Sequence, residues 1–476
     1  MSDITTEQYK DRARDALGDD VLQGAIAGLQ KRLGEGALSA YQNLREGPDL
    51  RLVAHEIREK AIGNLDILLE RLAEKIREKG GHVFFAQTGE EAVAYCLEIA
   101  RRHGVKLAVK GKSMVTEEIG LNAALEAEGI EAAETDLGEY IIQLAGEHPS
   151  HIIAPAIHKT RDQVGRLFSQ RIGTPYTDDP PRLTMIARKA LREKFLAADM
   201  GISGCNLACA ETGHITTVSN EGNIRMCSTM PKVHVSFMGM ERVVARLSDH
   251  EILFRLLPRG AAAQSMATYI SYIGGPRQPG QADGPDAFHL VILDNGRSRI
   301  LADERYREML CCIRCAACLN VCPVYRKIGG HAYGYCYSGP VGAVVTPLLV
   351  GINRASELCQ GETLCGACQD VCPVNIDIPR MLLELRAALA DGDDRWSVTR
   401  ESMGEKALFQ AWSRLIGNRR IYDLFLRISR VGQAFLQKQN GMIQRLPPPF
   451  SGWTDGRDLT PLAEKTFMQQ WKEENR

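Results

Sequence analysis

Residues 311–325 read CCIRCAACLNVCPVY and contain the most informative pattern in the chain. Cys312, Cys315, Cys318 and Cys322, followed by Pro323, have the spacing C-x2-C-x2-C-x3-C-P. This spacing is typical of bacterial ferredoxins, in which three cysteines hold one iron–sulfur cluster and the fourth reaches a second cluster. Soft thiolate ligands suit iron in such clusters. A zinc ribbon is the competing interpretation, but its C-x2-C pairs are separated by a longer loop.

A shorter copy of this pattern follows at residues 362–376, which read ETLCGACQDVCPVNI. The ferredoxin arrangement pairs two such runs crosswise, so each cluster takes cysteines from both. The predicted ligands are Cys312, Cys315, Cys318 and Cys372 for cluster 1, and Cys322, Cys365 and Cys368 for cluster 2. The sequence therefore predicts two iron–sulfur clusters of the 4Fe-4S type.

The fourth ligand of cluster 2 is left open by the sequence. The complete pattern would place a cysteine at position 362, where this chain has Glu362. Cys359, three residues earlier, is one alternative, and a carboxylate oxygen of Glu362 is another. A three-iron cluster without a fourth ligand is the third. Cys311 and Cys336 lie nearby, and we expect both to be buried free thiols.

Composition places the chain in a reducing compartment. Ten of its 14 cysteines lie between positions 311 and 372, and the N-terminus is polar and acidic rather than a secretory signal. We therefore expect a cytoplasmic protein with few disulfides. The longest apolar stretch, residues 341–352, is shorter than a membrane-spanning helix requires. The 58 Lys and Arg residues nearly balance 59 Asp and Glu residues, so nucleic acid is not an expected partner.

Hydrophobic patterning divides the 476 residues into four segments. Apolar residues at helical spacing predict an N-terminal helical arm over 1–80. Short apolar runs alternating with helical patterns predict an α/β domain with a parallel sheet over 81–303. An α-helical, ferredoxin-like two-cluster domain follows over 304–385, and a helical tail over 386–476. Within the α/β domain the predicted strands include 82–87, 106–110, 131–134, 151–155, 233–237 and 288–295, and the predicted helices include 88–102, 115–128, 183–199 and 240–256.

An anion pocket is a candidate feature of the α/β domain. Lys110 and Lys112 flank a turn that leads to a helix start, where Ser113 provides a cap. Together with backbone N–H groups they would suit a carboxylate or phosphate, although a well-capped surface helix explains them equally well. Glu211, in a loop between strands, is either a general base of the same pocket or a turn residue. The sequence has no dinucleotide-binding glycine motif after a strand.

The tail contains a basic amphipathic stretch, residues 412–436. Helices of this composition dock on partner proteins or lie on anionic membrane surfaces, and both uses fit the sequence.

Longer motifs carry a family resemblance. The segments VYRKIGGHAYG (324–334) and LCGACQDVCPV (364–374), together with VKGKSMVTEEIGLNAALEAEGI (109–130), ETDLGEYIIQL (134–144) and PSHIIAPAIHK (149–159), resemble the lactate utilization protein B family over nearly the whole chain. The resemblance implies an iron–sulfur electron-transfer subunit that takes part in the oxidation of L-lactate to pyruvate. It also implies an α/β domain related to sugar-phosphate isomerases and CoA-transferases.

The same resemblance implies two companion proteins, one another iron–sulfur or cysteine-rich subunit and the other a small α/β-domain subunit, and an electron acceptor of unknown identity. Two other functions compete with the electron-transfer subunit. One is a stand-alone transferase- or isomerase-like enzyme that uses the α/β pocket, and the other is a redox sensor. The lack of a flavin or nicotinamide motif favours the electron-transfer subunit, because a two-electron substrate needs a hydride acceptor elsewhere.

Overall fold

The computed structural model describes residues 4–44, 47–399, 403–436, 438–448, 450–454 and 456–475. The other positions fall in the predicted arm (1–80) and tail (386–476) and lie outside the described residues. The chain divides into two compact units, Met1–Thr399 and Arg400–Arg476.

The first unit begins with helices. They are α1 (Tyr9–Leu17), α2 (Asp20–Gln42), α3 (Gly47–Ile62) and α4 (Leu65–Glu78), after a short 3-10 helix at Thr6–Gln8. The Asp19 side chain caps α2 by accepting a hydrogen bond from the backbone N–H of Leu22 at 2.9 Å. Ile26 and Leu29 are buried, as their helical spacing predicts.

A six-stranded parallel sheet forms the centre of the α/β part. Its strands are β1 (His82–Ala86), β2 (Leu107–Lys110), β3 (Glu131–Glu134), β4 (Met200–Gly204), β7 (Val233–Gly239) and β10 (Ala287–Leu293), in the spatial order β1-β10-β7-β4-β2-β3. The middle strands are apolar on both faces because helices and loops cover both sides of a parallel sheet. Phe288 and Leu290 face one core, whereas Phe237 and Val291 face the other. The α/β fold class predicted from the sequence is confirmed.

A smaller mixed sheet lies in the same unit. It contains β5 (Leu207–Cys209), β6 (His214–Ser219), β8 (Val243–Val244) and β9 (Tyr269–Ile273), in the order β8-β5-β6-β9. The helices of the α/β part are α5 (Gly89–Arg102), α6 (Met114–Glu118), α7 (Leu121–Ala127), α8 (Leu137–Ala145), α9 (Arg161–Ile172), α10 (Pro180–Ala197), α11 (Asn223–Thr229), α12 (Leu247–Ala262) and α13 (Arg297–Leu301).

Three predicted elements of the α/β part are wrong in whole or in part. The helix predicted over 115–128 is interrupted at Gly120, whose φ of 65° is left-handed, and forms α6 and α7. Residues 151–155 form bends instead of a strand, because the ring Nδ1 of His151 accepts hydrogen bonds from the backbone N–H groups of Ile153 and Ala154, each at 3.0 Å. The helix predicted over 240–256 begins later, at Leu247. Val243 and Val244 pair instead with β5 as strand β8.

The cysteine-rich part of the first unit consists of short helices. They are α14 (Ala317–Val321), α15 (Tyr325–Ile328), α16 (Gly339–Val350), α17 (Ser356–Gln360), α18 (Ala367–Asp370) and α19 (Ile378–Asp391), with 3-10 helices at Arg307–Cys311, His331–Tyr333 and Asp394–Trp396. One hydrophobic core joins this part to the arm and to one face of the large sheet, and it includes Leu72, Ile292 and Leu385. The predicted boundaries at 80 and 303 therefore lie within one compact unit, and the boundary at 385 lies inside α19.

The second unit, described by itself, is made of α20 (Met403–Gly417), α21 (Arg419–Gly432) and α22 (Phe467–Glu474), 3-10 helices at Gln433–Phe435 and Ser451–Trp453, and the short strands β11 (Lys438–Gln439) and β12 (Met442–Ile443). Leu424, Ile428 and Val431 of α21 are exposed. Docking on a partner protein and contact with a membrane surface both stay predictions for this stretch. Within the described residues, no helix has the length and apolar character that crossing a membrane would require.

Arg58 joins three parts of the first unit. Its side chain, on α3, is fully buried, and in the part of the chain that the structure describes all of its hydrogen bonds go to backbone carbonyl oxygens. The acceptors are Glu241 and Val243, beside β8, and Leu310 and Cys311, just before the first cysteine run. A single guanidinium therefore fixes the arm, the small sheet and the start of the cysteine-rich part to one another.

We expect Arg58→Met to lower the free energy of unfolding of the cluster-loaded protein by at least about 3 kcal/mol. The reason is that four buried carbonyl oxygens lose their donor at once, and each unsatisfied buried group costs about 1–3 kcal/mol. Anaerobic urea denaturation followed by circular dichroism measures this. The matched control is Arg71→Met on the exposed face of α4, which should change the value by less than about 0.5 kcal/mol. Equal stability of the two variants would contradict the role given to Arg58.

Candidate metal centre

Two cavities lie between the cysteine runs, and each takes side chains from both runs. The first cavity is lined by Cys312, Cys315, Cys318 and Cys372. The second is lined by Cys322, Cys365, Cys368 and Glu362. The crosswise grouping expected from the spacing is therefore the grouping in which the structure places these side chains.

The two cysteine runs have the same backbone conformation. Arg314 and Ala316, on either side of Cys315, have φ of 56° and 62°. Leu364 and Gly366, on either side of Cys365, have φ of 57° and 85°. Three of these four residues are not glycine, so both loops hold strained left-handed turns, which are found where a structure over-determines the backbone at a functional site.

Backbone N–H groups face the cysteine sulfurs. The N–H of Arg314 donates to Sγ of Cys312 at 3.4 Å, and the N–H of Tyr325 donates to Sγ of Cys322 at 3.3 Å. Such N–H···S hydrogen bonds stabilise thiolate charge and tune the reduction potential of a cluster.

The thiols of both cavities are largely buried, and this sets their protonation. Burial raises the pKa of Cys372 to about 11 and that of Cys368 to about 12. Such thiols are neutral near pH 7 unless a bound cation displaces the proton, so metal binding here must release protons. Cys365 differs from the others because its side chain is exposed.

The donor sets fit iron–sulfur clusters better than single metal ions. Among the described residues, no group of three His, Cys, Asp or Glu side chains is close enough to share one metal ion. Cubane ligands need not converge on one point, because each thiolate binds a different iron atom. The first cavity would hold a cluster through four thiolates, and the second through three thiolates and one further donor.

Glu362 occupies the fourth position of the second cavity. Its Oε2 accepts a hydrogen bond from Sγ of Cys322 at 3.1 Å, and its Oε1 accepts one from the Tyr333 hydroxyl at 2.7 Å. Burial raises the pKa of this carboxyl above its ordinary value. Cys359 is buried on α17 with its Sγ 3.6 Å from the carbonyl oxygen of Ala355, and in the described part of the chain it does not line the cavity.

The residues of the predicted anion pocket are only partly brought together. Lys112 and Ser113 line a separate cavity of about 300 Å³. Lys110 does not, because it is buried in ion pairs with Glu134 at 2.7 Å and Glu117 at 3.0 Å.

Glu211 also lies outside that cavity. Its Oε2 accepts a hydrogen bond from the backbone N–H of Leu247 at 3.0 Å, at the start of α12, so this side chain has a helix-capping contact.

The sequence analysis missed Arg242, Arg314 and Tyr337, which line the same cavity. Arg314 was the one with a recognisable signal, because it stands between two predicted cluster ligands. Arg242 and Tyr337 are brought there by tertiary packing alone.

If each cluster takes cysteines from both runs, a substitution in the second run can remove the cluster of the first cavity. Cys372→Ala should remove the cluster of the first cavity, although Cys372 belongs to the second run, and Cys365→Ala should remove the other cluster. Each variant should fall from about eight to about four iron atoms per chain, with a different electron paramagnetic resonance (EPR) signal lost in each. Cys96→Ala, a buried thiol of α5, is the control that should keep all the iron. The pairing is wrong if Cys372→Ala and Cys365→Ala lose the same signal.

Two family models match parts of this chain. Residues 69–293 match the LUD domain family, and residues 308–376 match the 4Fe-4S dicluster domain family. The chain therefore carries two 4Fe-4S clusters, as the cysteine spacing predicts. A solved DUF162 family protein from Deinococcus radiodurans is 13% identical, covers 48% of this chain and 98% of its own, and has a TM-score of 0.28, which is too low to support a common fold.

Full-length relatives are much more similar. The chain is 45% identical to lactate utilization protein B of Bacillus licheniformis, over 99% of this chain and 98% of the relative. It is 43% identical to lactate utilization protein B of Bacillus subtilis, over 98% of this chain and 96% of the relative. A protein of the same name from a Geobacillus species is also 43% identical, over 99% and 98% of the two chains. On this similarity, the chain belongs to the lactate utilization protein B family.

Proposed function

We propose that this protein is an iron–sulfur electron-transfer subunit that takes part in the oxidation of L-lactate to pyruvate, in the cytoplasm and together with companion proteins. The observation that carries the proposal is the pair of adjacent cysteine-lined cavities with crossed donors. The name shared by the relatives, lactate utilization protein B, supports the substrate.

The chain's own residues hold the two cavities close together, and most of the cysteine ligands in them are buried. Cys318 of the first cavity lies on the short helix α14, and Cys322 of the second directly follows that helix, which corresponds to a rise of about 6 Å between the two residues. Bound 4Fe-4S clusters supply one-electron carriers at these positions. Apolar side chains such as Val341 and Leu382 help to line the cavities, and the exposed Cys365 brings the edge of the second cavity to the protein surface.

An electron count favours a subunit over a complete oxidase. Oxidation of a 2-hydroxy acid removes two electrons and two protons, and hydride chemistry needs a cofactor that accepts both electrons at once. The sequence has no dinucleotide motif, and lysines and carboxylates cannot store electrons. We therefore assign the hydride-accepting step to a companion protein.

The purified, cluster-loaded chain alone should not reduce an artificial dye with L-lactate. Adding the companion proteins should start steady dye reduction, and Cys315→Ala should abolish it because one cluster is lost. Cys96→Ala should keep the activity. Continuous lactate-dependent dye reduction by the flavin-free chain alone would show that this protein is a catalyst in its own right, as the competing enzyme interpretation requires.

We also propose that Glu362, rather than Cys359, is the fourth ligand of the second cluster. The carboxylate already lies in the cavity beside Cys322, and Tyr333 holds it there. A carboxylate is a harder ligand than a thiolate, so the iron atom it binds is held more weakly than the other three.

Glu362→Ala should lose about one iron atom per chain and show the EPR signal of a three-iron cluster. Glu362→Cys should restore the full iron content, because it completes the ferredoxin pattern. Cys359→Ala should leave both the iron content and the EPR spectrum unchanged. Loss of iron in Cys359→Ala, with full iron in Glu362→Ala, would assign the ligand to Cys359 instead.

A further inference from the structure

A cavity of about 300 Å³ lies between the large sheet and the first cysteine run. One side is formed by residues that follow strands β2 and β4 at their carboxyl ends, including Lys112 and Asn206. Open parallel sheets bind ligands at this edge, and a volume of about 300 Å³ is at the lower end of the range for small-molecule sites. The opposite side includes Ile313 and Arg314, which also line the first cysteine cavity.

Two cationic side chains at this cavity have polar atoms without hydrogen-bond partners. Within the described residues, neither Nζ of Lys112 nor Nη1 of Arg314 makes a hydrogen bond, although both atoms are buried. Nζ of Lys112 lies 3.8 Å from Oε1 of Glu139, an oxygen that also makes no hydrogen bond within the described residues, and burial raises the pKa of this carboxyl. The Arg314 guanidinium lies 4.5 Å from the ring centroid of Tyr337. Buried donors without acceptors are costly, and a bound anion would satisfy them.

The acidic residues at the cavity have other contacts. Glu241 pairs with Arg297 at 2.9 Å and with Arg242 at 3.4 Å. Asp136 accepts hydrogen bonds from the first N–H groups of α8. Burial and the charge of Asp136 raise the pKa of Glu221 to about 7, so this carboxyl is partly neutral.

The charged and apolar side chains that line the cavity indicate which class of ligand it would bind. Lys112 and Arg314 attract one negative charge, whereas Asp136 and Glu221 oppose a second. Apolar side chains, among them Ile153, Val218, Ile224 and Leu257, line the rest of the cavity and favour a carbon skeleton over an inorganic ion.

We propose that this cavity binds a small organic monocarboxylate through Lys112 and Arg314, directly beside the first cluster. The proposal concerns binding and does not depend on a role in lactate oxidation. Arg314 links the two sites, because its side chain lines the cavity and its backbone N–H donates to the cluster ligand Cys312. A negative charge that pairs with Arg314 therefore changes the electrostatic environment of that cluster.

Isothermal titration calorimetry of the anaerobic, cluster-loaded full chain tests this proposal. The probes are glycolate, L-lactate and pyruvate, with malonate and inorganic phosphate as doubly charged comparisons. At least one monocarboxylate should bind, and more tightly than malonate or phosphate. Lys112→Gln and Arg314→Gln should each weaken that binding by about tenfold or more, as expected when a charge-assisted hydrogen bond is lost. Lys189→Gln and Arg192→Gln, both exposed on α10, are the matched controls and should bind like the original protein.

A second readout locates the site. The bound monocarboxylate should shift the EPR signal that Cys372→Ala removes and leave the other cluster signal unchanged. Ala262→Trp fills the cavity without changing its charge, so it should abolish binding while the iron content stays full. If Arg314→Gln assembles no cluster, Ala262→Trp is the variant that tests whether the ligand binds in this cavity. The proposal is overturned if no monocarboxylate binds, if phosphate or malonate binds more tightly, or if Lys112→Gln and Ala262→Trp bind normally. A chain that binds glycolate but fails to support lactate oxidation would overturn the proposed function alone.

Discussion

Buried guanidinium groups hold the α/β part and the cysteine-rich part of this protein together. Arg58 donates to carbonyl oxygens on both sides of the junction. Arg297 makes a two-fold hydrogen bond to Glu118, at 2.9 and 2.7 Å, and a further one to Glu241 at 2.9 Å. Glu118 in turn accepts a hydrogen bond from the Tyr337 hydroxyl, which belongs to the cysteine-rich part. Removing one member of such a buried network leaves its partners buried without hydrogen bonds. The network therefore favours a single arrangement of the two parts.

That docking gives each cluster cavity a different neighbour. The first cavity shares Ile313 and Arg314 with the cavity at the sheet edge, whereas the second includes the exposed Cys365. The strained turns at Arg314 and Ala316 need a rigid support, and the shared core under them provides it. A ferredoxin-like module that folded separately would lack the contact with the sheet edge. The large common core therefore fixes the contact between the first cysteine run and the sheet edge.

The parts of the structure that could be predicted from sequence depend on local spacing. The cysteine pattern fixes which thiols can reach a common centre, and the apolar runs of β7 and β10 mark strands buried on both faces. The differences come from side-chain contacts, both local and distant, that apolar spacing does not reveal. His151 bonds to nearby backbone and to Asn320, which turns an apolar stretch away from a sheet. Lys110 is neutralised by Glu134, which lies on the adjacent strand, so its charge is unavailable to a ligand. The predicted domain boundaries at 80 and 303 stay predictions, because the segments on either side of them share one core.

The two cluster cavities also differ in their donors, and this difference has a physical consequence. With the ligands that we propose, four thiolates for the first cluster and three thiolates with the Glu362 carboxylate for the second, the two centres would have the same formal ligand charge but different softness. Hydrogen bonding differs as well, because the Tyr333 hydroxyl donates to Glu362, whereas the guanidinium of Arg314 adds positive charge beside the first cavity. Cluster potentials respond to net charge, hydrogen bonds and solvent exposure, and all three differ between the cavities. Under the proposed function, two clusters with unequal potentials would pass electrons in a preferred direction. We therefore interpret Glu362, at the position where the ferredoxin pattern has a cysteine, as part of that asymmetry.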